Sequence, residues 1–107
     1  MKKAMLEDRR LGFQNEVAGE FTLKGIKLGA TKGDEPFVYG ICKPVKSGRS
    51  VFVSAGDLQA VAIESGVKDN KLPFPGLKLG SEVDVENMKV NENFTFAIEN
   101  NRFLVKA

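Results

Sequence analysis

The stretch PFVYGICKPVKSGRSVFV, residues Pro36 to Val53, predicts two antiparallel strands joined by a tight basic turn. Apolar residues recur at every second position in both halves, as they do in strands with one buried face. Lys46-Ser47-Gly48 is typical of a turn, because glycine adopts left-handed backbone angles without a steric cost. Pro44 marks a strand end, since proline cannot donate a hydrogen bond to a sheet. We therefore expect a hairpin that neighbouring segments extend into a sheet.

The segments on both sides supply further strands and one helix. Val17 to Leu28 is predicted as a strand with a bulge or sharp bend at Gly25, where the alternation slips. Ser54 and Asp57 form a capping box that starts a short helix over about residues 57–65, which ends at Gly66. Later strands are predicted at Glu82–Glu86, Phe94–Ile98 and Arg102–Lys106, with Asn100-Asn101 as the turn between the last two.

This order predicts a mainly β fold. Three strands, one helix and two or three more strands favour a small five- to six-stranded OB-like barrel, with the helix after the third strand. A generic small β-barrel or roll is the alternative. At 107 residues the chain is long enough for one domain. We expect residues 17–107 to form a single OB-like β-barrel domain and residues 1–16 to be a charged, partly ordered N-terminal arm.

The residue types argue against an enzyme. The chain has no His, its acids and thiol match no catalytic or phosphate-loop motif, and Cys42 has no partner for a disulfide. We expect no catalytic residues, no cofactor and no metal. The acids Glu82, Asp84 and Glu86 are interpreted as the solvated face of a strand rather than a cation site. One cysteine, and no segment long enough to span a membrane, predict a cytoplasmic protein without a membrane partner.

Basic residues gather in the N-terminal half. Between Glu20 and Val53 there are six basic and three acidic side chains, and between Leu77 and Asn93 there are two basic and four acidic ones. Cations interleaved with aromatic rings are typical of single-strand binding, because the cations neutralise phosphates and the rings stack on bases. The candidate binding residues are Lys24, Lys27, Lys32, Phe37, Tyr39, Lys43, Lys46, Arg49, Phe52 and Phe74.

Each aromatic residue also has a purely structural interpretation. The alternation favours Phe37, Tyr39 and Ile41 as a core face, with the lysines only keeping the surface polar. Phe52 is out of phase with the valines on either side of it, so it points outward if those valines face the core. Phe74 lies between two prolines and is either a plug over the core, which is favoured, or an exposed contact.

The layout of the chain carries a resemblance. In order it has Asp34-Glu35-Pro36-Phe37, a strand with Cys42, a V-x-V strand at Val51–Val53, Pro75-Gly76-Leu77, a V-x-V strand at Val83–Val85, and a closing hairpin that ends in FLVKA. Over about residues 20 to 107 it resembles the small single-stranded-DNA-binding, helix-destabilising proteins of filamentous phages. The resemblance implies an OB-type dimer that coats a single strand, with Phe37 on a base and the turn cations on phosphates. The N-terminal arm, the clear helix and the use of Phe rather than Tyr depart from those proteins.

We therefore expect a non-catalytic protein that binds single-stranded nucleic acid, DNA or RNA, through a basic and aromatic hairpin surface. A homodimer is expected from the resemblance. The alternative is a protein–protein interaction or adaptor domain of phage or mobile-element origin that uses exposed sheet edges and Phe74.

Overall fold

A long bent strand forms the centre of the fold. The structure is a computed structural model that describes residues 3–10 and 17–105. The elements within these residues are β1 (Lys3–Met5), β2 (Gly19–Ala30), β3 (Pro36–Pro44), β4 (Val51–Ser54), α1 (Ala55–Glu64), β5 (Glu82–Asp84), β6 (Thr95–Glu99) and β7 (Arg102–Leu104), with single 3-10 turns at Asp69–Lys71 and Val85–Asn87.

Five of these strands form one antiparallel sheet in the order β4-β3-β2-β6-β7. Strand β2 pairs with β3 along its length and with β6 through residues 19–22. The β2–β3 register shifts between Leu23 and Gly25, so the predicted irregularity is confirmed, and such a bulge increases the local twist. The sheet curls into a half-barrel whose edges are β4 and β7. The predicted fold class, mainly β and OB-like with one short helix after the third strand of this sheet, is confirmed.

A second sheet of two strands was not predicted. Strand β1 pairs with β5, and the N–H of Leu6 donates to the carbonyl of Ser81. Ala4 and Leu6 are buried in the same core as Val83. Residues 3–10 of the predicted arm are therefore an ordered part of the fold, because their alternate apolar side chains cover the core. Residues 1, 2 and 11–16 of that arm lie outside the described residues.

Helix α1 begins at its predicted cap. The Ser54 hydroxyl accepts a hydrogen bond from the backbone N–H of Asp57, and Gly66 follows the helix with φ of +82°. The Asp57 carboxylate, which is buried, accepts the backbone N–H groups of Arg9 and Arg10 at 2.7 and 2.8 Å. The capping acid thus also holds the N-terminal segment against the start of the helix.

Phe74 is the plug over the core. Its side chain is fully buried, so its assignment to the nucleic-acid-binding residues is wrong, since a base cannot reach it. The side chain of Gln59 in α1 holds this loop: its amide N–H groups donate to the carbonyls of Phe74 and Leu77, both at 2.9 Å, and its oxygen accepts the Phe74 N–H. The loop is fixed because every polar atom of this buried amide is paired.

The buried face of β3 is the opposite of the face that the sequence alternation favoured as core. Phe37 and Tyr39 are partly exposed on the outer face of the sheet, so the expectation that they are core residues is wrong. The buried positions of β3 are Val38, Gly40 and Cys42. The reason is space: a Cβ atom at Gly40 would lie 2.9 Å from Cδ1 of Leu23 and 3.3 Å from Cδ1 of Leu58. Side chains of β2 and α1 therefore fill the volume that large β3 residues would need.

The last hairpin follows the sequence pattern closely, whereas the acidic strand is shorter than the predicted Glu82–Glu86. Asn100 and Asn101 have φ of +51° and +61°, as expected for a two-residue turn between β6 and β7. In β5, Val83 points inward while Glu82 is exposed, but the strand ends at Asp84, whose carboxylate accepts the N–H of Glu86 and starts a 3-10 turn. Among the residues described, no helix is long and apolar enough to cross a membrane.

Candidate nucleic-acid interface

Three aromatic rings meet on the outer face of the large sheet. The centroids of Phe37 and Tyr39 are 6.2 Å apart, and those of Tyr39 and Phe52 are 5.5 Å apart. The Phe52 side chain is 62% exposed, whereas the other two are partly exposed. We call these three residues the aromatic cluster. Such a set of rings is open to a flat partner from solvent.

Strand register places the cluster. Phe52 stands directly opposite Ile41, and Tyr39 stands directly opposite Lys27. Residues opposite each other in an antiparallel pair point to the same face. Val38, the neighbour of Tyr39 in β3, points into the core, so Tyr39, Ile41 and the residues opposite them point outward. The prediction that Phe52 points outward is confirmed.

Two glycines leave the outer face of the neighbouring strand β2 without side chains at their positions. A Cβ atom at Gly29 would lie 2.7 Å from Cε1 of Tyr39, so the tyrosine ring occupies the space above the β2 backbone. A Cβ atom at Gly25 would meet nothing within 4 Å. Lys27 stands between them on the same face. The outer surface of β2 is thus flat beside the aromatic cluster, and Lys27 projects from it between the two glycines.

Four of the candidate cations lie on or beside this face. Lys27 and Lys43 are exposed on the outer face of β2 and β3, and Lys46 and Arg49 are exposed in the turn that joins β3 to β4. In the part of the chain that the structure describes, none of these four forms an ion pair. Their charges are therefore available to an anionic ligand.

The other two candidate cations are more distant along the strands. Lys24 is exposed at the β2 bulge. Lys32 is exposed in the turn between β2 and β3, at the Phe37 end of the hairpin, whereas Lys46 and Arg49 are at the Lys43 end. The structure thus brings the cations to both ends of the aromatic cluster, with Lys27 between.

Arg9 also contacts this face, although it is not among the candidate binding residues. Its guanidinium carbon lies 5.3 Å from the centroid of the Phe37 ring, a cation–π distance. The same guanidinium pairs with Glu7 at 3.2 Å and with Glu35 at 3.6 Å. Nothing in the spacing of the N-terminal residues indicates this contact, because it depends on the Asp57 anchor that holds the backbone of residues 9 and 10.

Cys42 lies behind the face rather than in it. The thiol is fully buried in the core between the two sheets, and burial raises the pKa of Cys42 from its ordinary value of 9.0 to about 12. A neutral buried thiol is a poor nucleophile and a poor metal ligand. The interpretation of Cys42 as a packed thiol is confirmed.

The acidic residues of β5 belong to the small sheet rather than to the sheet that carries the rings. Val83 packs in the same core as Val38, so the exposed Glu82 lies on the outer side of the small sheet. Within residues 3–10 and 17–105, no three candidate metal ligands come together. The aromatic cluster and the exposed Glu82 therefore lie on different sheets.

Comparison of the chain with protein-family models, curated proteins and solved structures found no match.

Proposed function

We propose that the protein binds single-stranded nucleic acid, without catalysis, on the outer face of β3 and β4. The observation that carries this proposal is the aromatic cluster, an exposed set of three rings flanked by unpaired lysines on a sheet surface. Counted within the large sheet, β3 and β4 are the second and third strands, the face through which OB-type barrels bind oligonucleotides.

The spacing of the rings favours a single strand over a duplex. Neighbouring centroids are 5.5 and 6.2 Å apart, whereas stacked bases in a duplex repeat every ~3.4 Å along each strand. Bases that stack on neighbouring rings must therefore be spread apart, which pairing in a duplex prevents. Stacking contributes about 1–3 kcal/mol per base and tolerates any sequence, because every base has a π-face.

The cations supply the remaining affinity. Lys27 and Lys43 flank the rings on the sheet, and Lys46 and Arg49 extend from the adjacent turn. If these four neutralise one phosphate each, the slope of log affinity against log salt concentration is about −2.8 for a single strand. DNA is the first ligand to test, because the filamentous-phage proteins that the sequence resembles bind single-stranded DNA.

A protein-binding function is the second candidate. Among the described strands, β4 is an edge of the large sheet, and Phe52 on it is 62% exposed, so a partner strand could pair beside an apolar anchor. Burial of Phe74 removes the other contact that this hypothesis used. Among the described residues, no ion pair forms at the lysines beside the rings, and this favours the nucleic-acid function, since an apolar protein interface gains little from unpaired lysines.

The test is a titration with fluorescently labelled oligo-dT, read by anisotropy at two salt concentrations. Binding that weakens as salt rises, and that is lost in Arg49→Glu but kept in Lys78→Glu, supports the proposal. Lys78 is the matched control because it is exposed and lies in the connection before β5. Tyr39 is the only tyrosine and the chain has no tryptophan, so quenching of tyrosine fluorescence reports stacking at the site itself. No binding at low salt overturns the proposal and leaves the protein-binding function.

A further inference from the structure

A polar cleft lies beyond the aromatic cluster, between the segment that follows α1 and the start of β6. It is open to solvent and has a volume of about 910 Å³. The polar residues of its walls include Lys68, Asn70, Lys71, Asn93 and Thr95, and the apolar Val67 and Phe94 also line it. Neither α1 nor the aromatic cluster contributes to it, so it is a separate feature of the surface.

Two lysines and two amides of the cleft are available to a ligand. In the described part of the chain, Lys68 and Lys71 form no ion pair, and the side-chain amides of Asn70 and Asn93 form no hydrogen bond. The neighbouring acids Asp69 and Glu92 are exposed but do not line the cleft. The lining is therefore positive and rich in hydrogen-bond donors, which suits a phosphodiester backbone.

The cleft itself is held in shape by Asn91. The Asn91 side-chain N–H donates to the carbonyl of Lys71 at 3.3 Å, and its oxygen accepts the backbone N–H of Asn93 at 3.1 Å. The backbone N–H of Asn91 also donates to the carbonyl of Pro73 at 2.9 Å. One side chain thus joins the two walls, so the lysines and free amides are presented from fixed backbone.

A row of polar side chains connects the cleft with the aromatic cluster. Thr95 lines the cleft and stands opposite Thr22 on β2, with the two hydroxyl oxygens 3.2 Å apart. Thr22 in turn stands opposite Lys43 on β3, which shares its face with Tyr39. Because neighbouring strands are about 4.8 Å apart, this row crosses about 10 Å of the outer surface. On β3 the partly buried Ile41, directly opposite Phe52, stands between Lys43 and Tyr39.

Resting on the proposed function, we infer that this cleft is a second backbone-binding subsite for the same single strand. The strand would leave the rings at Lys43, cross the two threonines and place a phosphate between Lys68 and Lys71, with Asn70 and Asn93 donating to phosphate or sugar oxygens. The number of nucleotides bound would then be larger than the number that the three rings alone can hold. It would fall within the ~4–16 nucleotides that OB-type domains cover.

The experiment compares a short and a long oligonucleotide, labelled dT4 and dT12, in anisotropy titrations. Lys71→Glu is expected to weaken dT12 binding at least fivefold and to reduce its salt slope by about 0.7, the loss of one phosphate contact. Binding of dT4, which the rings alone can hold, is expected to change less than twofold. Asn93→Ala gives an independent, smaller loss for dT12. Lys78→Glu, with the same change in charge, is the matched control.

The outcomes separate the two proposals. If Phe52→Ala weakens both oligonucleotides while Lys71→Glu and Asn93→Ala leave dT12 affinity and its salt slope unchanged, the second subsite is wrong and the proposed function is retained. If Lys78→Glu weakens dT12 binding as much as Lys71→Glu does, the loss comes from the change in overall charge, and the proposal of a second subsite is also wrong. If the wild-type protein binds neither oligonucleotide, both proposals are overturned.

Discussion

The Tyr39 and Phe52 rings meet edge to face, with centroids 5.5 Å apart and planes inclined by 74°, on the outer side of the sheet. Such a pair contributes about 0.5–1.5 kcal/mol beyond burial, which is enough to fix the orientation of two partly exposed rings. Exposure of aromatic area to water costs free energy that a ligand can recover. The pair is therefore a preorganised surface, and it is the feature that mutation should test first.

Removal of the exposed ring is expected to reduce ligand affinity without unfolding the protein. Phe52→Ala should weaken oligo-dT binding about 5- to 150-fold, the equivalent of 1–3 kcal/mol for a lost stacking contact. Because Phe52 is 62% exposed, the free energy of unfolding should change by less than about 1 kcal/mol. Ile63→Ala on α1 is the control, since Ile63 is also exposed, and equal losses in both variants would contradict a site at the rings.

A methyl group beside Tyr39 is expected to disturb the cluster specifically. In Gly29→Ala the new Cβ would lie 2.7 Å from Cε1 of Tyr39, so the ring must turn. Tyrosine fluorescence should shift and oligo-dT affinity should fall several-fold. Gly25→Ala is the matched control on the same strand and face, because its Cβ meets nothing within 4 Å. An effect of Gly25→Ala as large as that of Gly29→Ala would show that β2 responds to any loss of glycine.

The contact between α1 and the N-terminal segment is expected to be intolerant of a methyl group. A Cβ atom at Gly56 would lie 1.7 Å from the carbonyl oxygen of Glu7, which is backbone and cannot rotate away. Gly56→Ala should therefore lower the free energy of unfolding by about 2–4 kcal/mol in urea titrations. Alanine normally stabilises a helix by about 1 kcal/mol relative to glycine, so a more stable variant would contradict this contact.

The buried amide of Gln59 is expected to be essential for the loop that carries Phe74. Gln59→Leu leaves the Phe74 N–H and the Leu77 carbonyl without the partner that Gln59 provides, whereas the Phe74 carbonyl keeps the Leu77 N–H at 3.3 Å. Each unsatisfied buried group costs about 1–3 kcal/mol, so the free energy of unfolding should fall by about 3 kcal/mol or more. Hydrogen exchange at the Phe74 amide should rise at the same time. A loss below about 1 kcal/mol would mean that water replaces these bonds.

The pKa of Cys42 predicts a loss of stability at high pH. The folded-state pKa is about 12, above the ordinary 9.0, so between these values the unfolded chain releases a proton that the native protein keeps. The free energy of unfolding should therefore fall by up to ~1.4 kcal/mol per pH unit from pH 9 to 12, with no contribution from this group below pH 9. Cys42→Ala removes this slope and is the reference. Rapid reaction of native Cys42 with a thiol reagent at pH 8 would contradict its burial.

Local features of the fold could be predicted because their causes are local. The Ser54 and Asp57 capping box, the bulge before Gly25 and the Asn100-Asn101 turn each depend on backbone preferences of a few neighbouring residues. The outward direction of Phe52 followed from period-2 alternation with its neighbouring valines. The small sheet was missed, because β1 and β5 have only three residues each and pair across most of the chain.

The features of the candidate site also divide into those that local sequence predicts and those that depend on contacts between distant residues. The alternation of aromatic residues and lysines along a hairpin is predicted from the sequence alone, because it is a property of neighbours at a period of two. Which side of β3 faces water depends on the packing of the folded chain. Both sides are apolar, and the choice depended on Leu23 and Leu58 filling the space above Gly40. The packing of the folded chain also decides that Phe74 is buried and that Arg9 lies on Phe37, since both positions depend on side chains of α1 that are distant in the chain. Packing between residues that are distant in the chain cannot be predicted from local spacing. This packing places Phe37 and Tyr39 on the surface, although their alternation alone favoured the core.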